Sequence, residues 1–65
     1  MIATDRIRGR LVEIEIGLVE GQGWVAVGIV QEGLSHEKGM RFEARAQDAG
    51  TAEERLRADV EAYFA

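Results

Sequence analysis

The chain has no cysteine, no proline, a single histidine and a single lysine. Without cysteine there is no disulfide, no thiolate zinc site and no cysteine nucleophile. One histidine excludes a His-rich metal cluster, and no pair of ligands shows a spacing such as H-x-x-x-H. No stretch approaches eighteen consecutive apolar residues, and the N-terminus lacks the basic-then-apolar order of a signal peptide. These absences predict a cytoplasmic protein with no membrane association, no metal and no cofactor. What remains is a 65-residue chain, 46% hydrophobic and 31% charged. That composition folds, and the length fits one domain spanning residues 1–65. A chain of this size buries only about 60% of its unfolded surface, so its core is marginal.

The net charge is −4. Residues 1–10 carry a positive surplus from Arg6, Arg8 and Arg10, whereas residues 11–35 carry only acids, Glu13, Glu15, Glu20 and Glu32. An acidic domain repels a polyanion unless its basic groups gather on one face.

Hydrophobic periodicity divides the chain. Val12, Ile14, Ile16 and Leu18 alternate with Glu13, Glu15 and Gly17, the pattern of a strand with one buried face. Upstream, Ile7 and Leu11 fall in the opposite phase, which implies a β-bulge near Gly9–Leu11 or two separate short strands. Glu20-Gly21-Gln22-Gly23 reads as a hairpin turn. Trp24 to Val30 is apolar throughout, counting Gly28, as in a central strand covered on both faces. A loop follows over Glu32–Gly39. Met40, Phe42, Ala44 and Ala46 then alternate with Arg41, Glu43, Arg45 and Gln47 as a third strand. Thr51 with Glu54 forms a capping box that opens a helix, with Ala52, Leu56, Val60, Tyr63 and Phe64 along one side. The predicted fold is α+β: a three-stranded antiparallel β-meander with one C-terminal helix packed on one face.

One helix covers one face of such a sheet. The middle strand nevertheless offers two apolar rows, Val25-Val27-Ile29 and Trp24-Ala26-Gly28-Val30. Whichever row the helix leaves uncovered sits in the middle of the opposite face, rimmed by Glu13, Glu15, Arg41 and Arg45. Tryptophan is enriched among residues that dominate binding energy, so Trp24, Ala26, Gly28 and Val30 are the expected interface. The expected function is a non-enzymatic interaction module, a homodimer that completes its core across the sheet and can hold a further protein partner. The alternative is nucleic-acid binding. Arg6, Arg8 and Arg10 would point to one side of an extended segment and join Arg41 and Arg45 as a polyanion contact.

Other chemistry is weaker. His36, beside Ser35, Glu37 and Lys38 in a glycine-bounded loop, has no positioned nucleophile and reads as a solvated residue. Gly21, Gly23 and Gly28 do not form a dinucleotide fingerprint, because they lead into a strand and not a helix N-terminus. Glu13 and Glu15 share a strand face with no cleft to perturb them.

Gly23-Trp24-Val25-Ala26 is similar to the Gly-aromatic-Val-Ala opening of the second strand in HicB-like antitoxins, small modules with a partial ribonuclease-H-type fold. Thr51-Ala52-Glu53-Glu54 with Leu56 resembles the Thr-x-x-Glu-Ala-Leu that starts their helix. The resemblance spans about forty residues. The Pro-Asp/Glu-Leu-Pro-Gly segment of that family is absent, and residue 55 is Arg where Ala is usual. What the resemblance implies is a dimer that masks a protein partner such as a small ribonuclease toxin. The strand-strand-strand-helix order also resembles the AP2-like arm-binding domains of phage integrases. Those domains are basic, so their DNA contact does not carry over to an acidic chain.

Overall fold

The computed structural model describes residues 1–65. Strands β1 (Ile2–Ile7), β2 (Arg10–Val19), β3 (Gly23–Glu32) and β4 (Arg41–Ala46) precede a single helix, α1 (Ala49–Tyr63). The strands form one antiparallel sheet in the order β1-β2-β3-β4. The α+β class, the antiparallel meander and the C-terminal helix are those predicted, but there are four strands and not three.

The extra strand comes from the N-terminal residues where the phase was out of step. Arg8 and Gly9 both take positive φ, 51° and 82°, so a two-residue turn reverses the chain between Ile7 and Arg10. A bulge is present as well. Leu11 pairs with Glu32 while Val12 pairs with Val30, which leaves Gln31 of β3 without an opposite residue.

The helix also starts earlier than the capping box suggests. Asp48 is the N-cap, and its carboxylate accepts from the Thr51 amide at 2.8 Å and the Thr51 hydroxyl at 2.9 Å. Thr51 therefore lies in the first turn and is not the cap, because a carboxylate already holds its amide.

Ala52, Leu56 and Val60 repeat at every fourth position and are fully buried. They pack on Val12, Ile14 and Ile16 of β2, Ala26 and Val30 of β3, and Ala44 of β4. Helix and sheet meet tightly over Gly28. A Cβ there would stand 3.2 Å from Val12 Cγ1 and 3.3 Å from Leu56 Cδ2. Tyr63, expected on the buried side, is exposed; it meets Phe42 and Phe64 edge-to-face at 5.5 and 5.1 Å.

This packing corrects the expected interface. Ala26 and Val30 are 0% and 1% exposed beneath the helix, with Gly28 buried between them and Trp24 half-buried at the end of the row. Small residues in the middle of the row let the helix settle onto the sheet, so Trp24, Ala26, Gly28 and Val30 line the core. The row facing away from the helix is Val25, Val27 and Ile29.

Candidate interaction surface

The pairing register lays out the open face row by row. Ile29 lies between Glu13 of β2 and Arg41 of β4, Val27 between Glu15 and Glu43, and Val25 between Gly17 and Arg45. Beyond β2, the edge strand β1 adds Ile2 beside Glu15 and Thr4 beside Glu13. Val27 and Ile29 are half-buried by their neighbours, and Val25 is buried, at 8% exposed. The face thus has a narrow apolar stripe with acids on one flank and arginines on the other.

The two flanks differ in how their charges are satisfied. On β4, Glu43 bridges both Arg41 at 2.9 Å and Arg45 at 2.8 Å, leaving that strand with one net positive charge. On β2, Glu13 and Glu15 take part in no salt bridge.

The sheet edges are less available than the face. At β1 the Arg6 amide donates to Asp5 Oδ1 at 2.8 Å, and the other carboxylate oxygen of Asp5 accepts from Arg57 of the helix. These bonds, from the Arg57 guanidinium first and the Arg6 amide second, hold the Asp5 carboxyl below its usual range. At β4 the Arg55 guanidinium donates to the Arg45 carbonyl at 2.8 Å. Each edge therefore has one outward backbone group taken by a side chain, and each carries exposed charged residues, which disfavours strand-to-strand association.

The five candidate polyanion contacts are not brought together. The turn at Arg8-Gly9 breaks the extended segment on which Arg6, Arg8 and Arg10 would have shared a side. Arg6 pairs with Glu32, Arg8 with Glu61 of the helix, and Arg10 with Glu37, while Arg41 and Arg45 share Glu43. Every one of the five has a carboxylate partner within the chain.

Sequence reasoning missed Glu37. It lies in the β3–β4 loop yet is only 5% exposed. Arg10 Nε and Nη2 donate to its two oxygens at 3.0 and 2.7 Å, and the Leu34 amide donates at 2.9 Å. The Arg10 hydrogen bonds, then the Leu34 amide, hold the Glu37 carboxyl down at about 2. The same guanidinium lies 4.2 Å from the ring centre of Phe64, so a single arginine fastens both the loop and the C-terminus. Nothing in the spacing of residues 10 and 37 signals this pair.

Elsewhere the surface offers little chemistry. His36 and Ser35 are exposed in the loop. No group of three His, Asp or Glu residues is placed to hold a metal ion. The larger hollow, about 620 Å³ and open, is lined by Gln22, Arg45, Asp48, Thr51 and Arg55. It lies at the helix N-terminus, where the Asp48 carboxylate already takes the place an anion would need. No helix is long and apolar enough to cross a membrane. No protein-family model, curated protein or solved structure matches the chain.

Proposed function

We propose that the chain is a non-enzymatic interaction module that works as a homodimer through the open face of its sheet. The observation that carries this reading is the Val25-Val27-Ile29 stripe, set between acids without ion-pair partners and an arginine-bearing strand. A second copy brings the same stripe and both signs of charge, so the face complements itself. The occupied edges favour the face over edge-to-edge pairing. Nucleic-acid binding loses its support because the turn at Arg8-Gly9 sends Arg8 and Arg10 toward Glu61 and Glu37 and away from Arg41 and Arg45, so the five arginines do not form one contact. A regulatory role of the HicB-like kind, in which the dimer holds a further protein, rests on the sequence resemblance alone.

The test is molar mass in solution from micromolar to millimolar concentration for wild type, Val27→Asp and Leu18→Asp. Leu18 is the control, being 67% exposed on the helix side beside Trp24. The expected result is a wild-type dimer that Val27→Asp dissociates and Leu18→Asp does not. A wild-type monomer overturns the reading. Dissociation by Leu18→Asp alone moves the interface to the other side of the sheet.

A further inference from the structure

The homodimer reading leaves open how two copies of the face meet, and the charge pattern decides it. A two-fold dimer of packed sheets has its axis lying between them, either along the strands or across them. With the axis across the strands and centred on Val27, β2 lies on β2 and β4 on β4. That arrangement sets Glu15 on Glu15, Glu43 on Glu43 and Arg41 on Arg45, like charge on like charge. With the axis along β3, each β2 lies over the β4 of the other copy. Ile29, Val27 and Val25 then each meet their own counterpart along the axis.

We infer that two copies of the chain dock with the axis along β3, joining the acidic strand of each to the arginine-bearing strand of the other. The register supplies the details. Glu13 and Arg41 both flank Ile29, so Glu13 lies over Arg41 of the second copy. Glu15 lies over Glu43 of the second copy, between the two arginines that Glu43 bridges. Gly17 and Arg45 both flank Val25, which puts Gly17 under Arg45 of the second copy. A Cβ at Gly17 would have nothing within 4 Å, so this position leaves room for a guanidinium to swing toward Glu15. Packed sheets lie about 10 Å apart and turn about 30° from parallel, a gap that Glu and Arg side chains span.

The size of the face makes these charges matter. With the axis along β3 the edge strand β1 has no strand opposite it, so three strands about 4.8 Å apart and some six residues long meet over roughly 300 Å² per copy. That is well under half of a standard interface, the size of a weak, transient association. At that strength, complementary or opposed charges decide whether association is observed.

The inference rests on the homodimer reading, and two experiments separate their failures. Sedimentation equilibrium would compare wild type, Glu13→Arg, Arg41→Glu, and an equimolar mixture of the two variants, with circular dichroism confirming the fold. Each variant alone should dimerise at least ~10-fold more weakly than wild type, and the mixture should recover most of that loss. Variants as tight as wild type would overturn the axis and leave the dimer standing, whereas a monomeric wild type would remove both. Thiol crosslinking with a short bifunctional reagent gives an answer that needs no charge reversal. Glu13→Cys mixed with Arg41→Cys should form a mixed crosslinked pair, and Glu15→Cys alone should not crosslink. The reverse result would establish the axis across the strands.

Discussion

The two faces of the sheet share the same strands and much the same apolar content at β3, but only one has a helix. On the covered face the flanking strands contribute Val12, Ile14, Ile16 and Ala44, and the helix adds Ala52, Leu56 and Val60. On the open face the same flanking strands contribute Glu13, Glu15, Arg41, Glu43 and Arg45 around Val25, Val27 and Ile29. The difference teaches that burial here is decided by the neighbours of β3, because β3 itself is apolar on both sides. Small residues tip the choice: Ala26 and Gly28 make a shallow trough for Leu56, whereas Val25, Val27 and Ile29 make a ridge.

The largest effect that would break this comparison is Leu56→Ala on the covered face. It should destabilise the fold by about 2–5 kcal/mol in denaturant titration, since the methyl groups over Gly28 are removed and the sheet cannot follow. Gly28→Val is the opposite perturbation, forcing a side chain into the contact between Val12 and Leu56, and should cost about 1–3 kcal/mol by the same assay. On the open face, Val27→Asp sets a third carboxylate between Glu15 and Glu43 and should cost the monomer about 1–2 kcal/mol in denaturant titration while weakening dimerisation, measured as molar mass against concentration.

Glu37→Gln sharpens the contrast by showing how much the covered side depends on its clasp. Glu37 titrates near 2 in the folded chain and near the ordinary 4.5 when unfolded. The group bound as a carboxylate thus favours folding above pH 4.5, and that contribution drains away as pH falls from 4.5 toward 2. Wild type should melt above Glu37→Gln at neutral pH, with the two melting temperatures converging through that window. The last effect is on the open face: added salt should weaken the dimer, because the Glu13–Arg41 contacts proposed to hold it are exposed to screening.

Much of this architecture was legible in the sequence. The alternation in β2 and β4, the hairpin glycines and the repeat of Ala52, Leu56 and Val60 each report a local period, which the structure keeps. The fourth strand was less legible because its signal is one of phase: Ile7 and Leu11 are out of step, and a tight turn through Arg8 and Gly9 explains that as well as a bulge does. The choice of covered row depended on which side chains let a helix approach, a property of two elements together. Trp24 pointed the wrong way because its bulk suits an interface and a core edge equally well. The Arg10–Glu37 pair joins residues from separate hairpins, and no periodicity reports such a contact.

The Asp5–Arg57 bond has a kinetic consequence. Each strand pairs only with its sequence neighbours, so most of the sheet can close through short loops, and low contact order of this kind accompanies fast folding. The bond from Asp5 to Arg57 reaches much further, as does the Arg8–Glu61 pair, and links residues 52 positions apart. It can form only after the meander has closed and the helix has landed, which places it on the native side of the folding barrier. Asp5→Ala should therefore speed unfolding in a stopped-flow experiment and leave the refolding rate almost unchanged. A clasp at the edge of the sheet would then govern how long the native state persists.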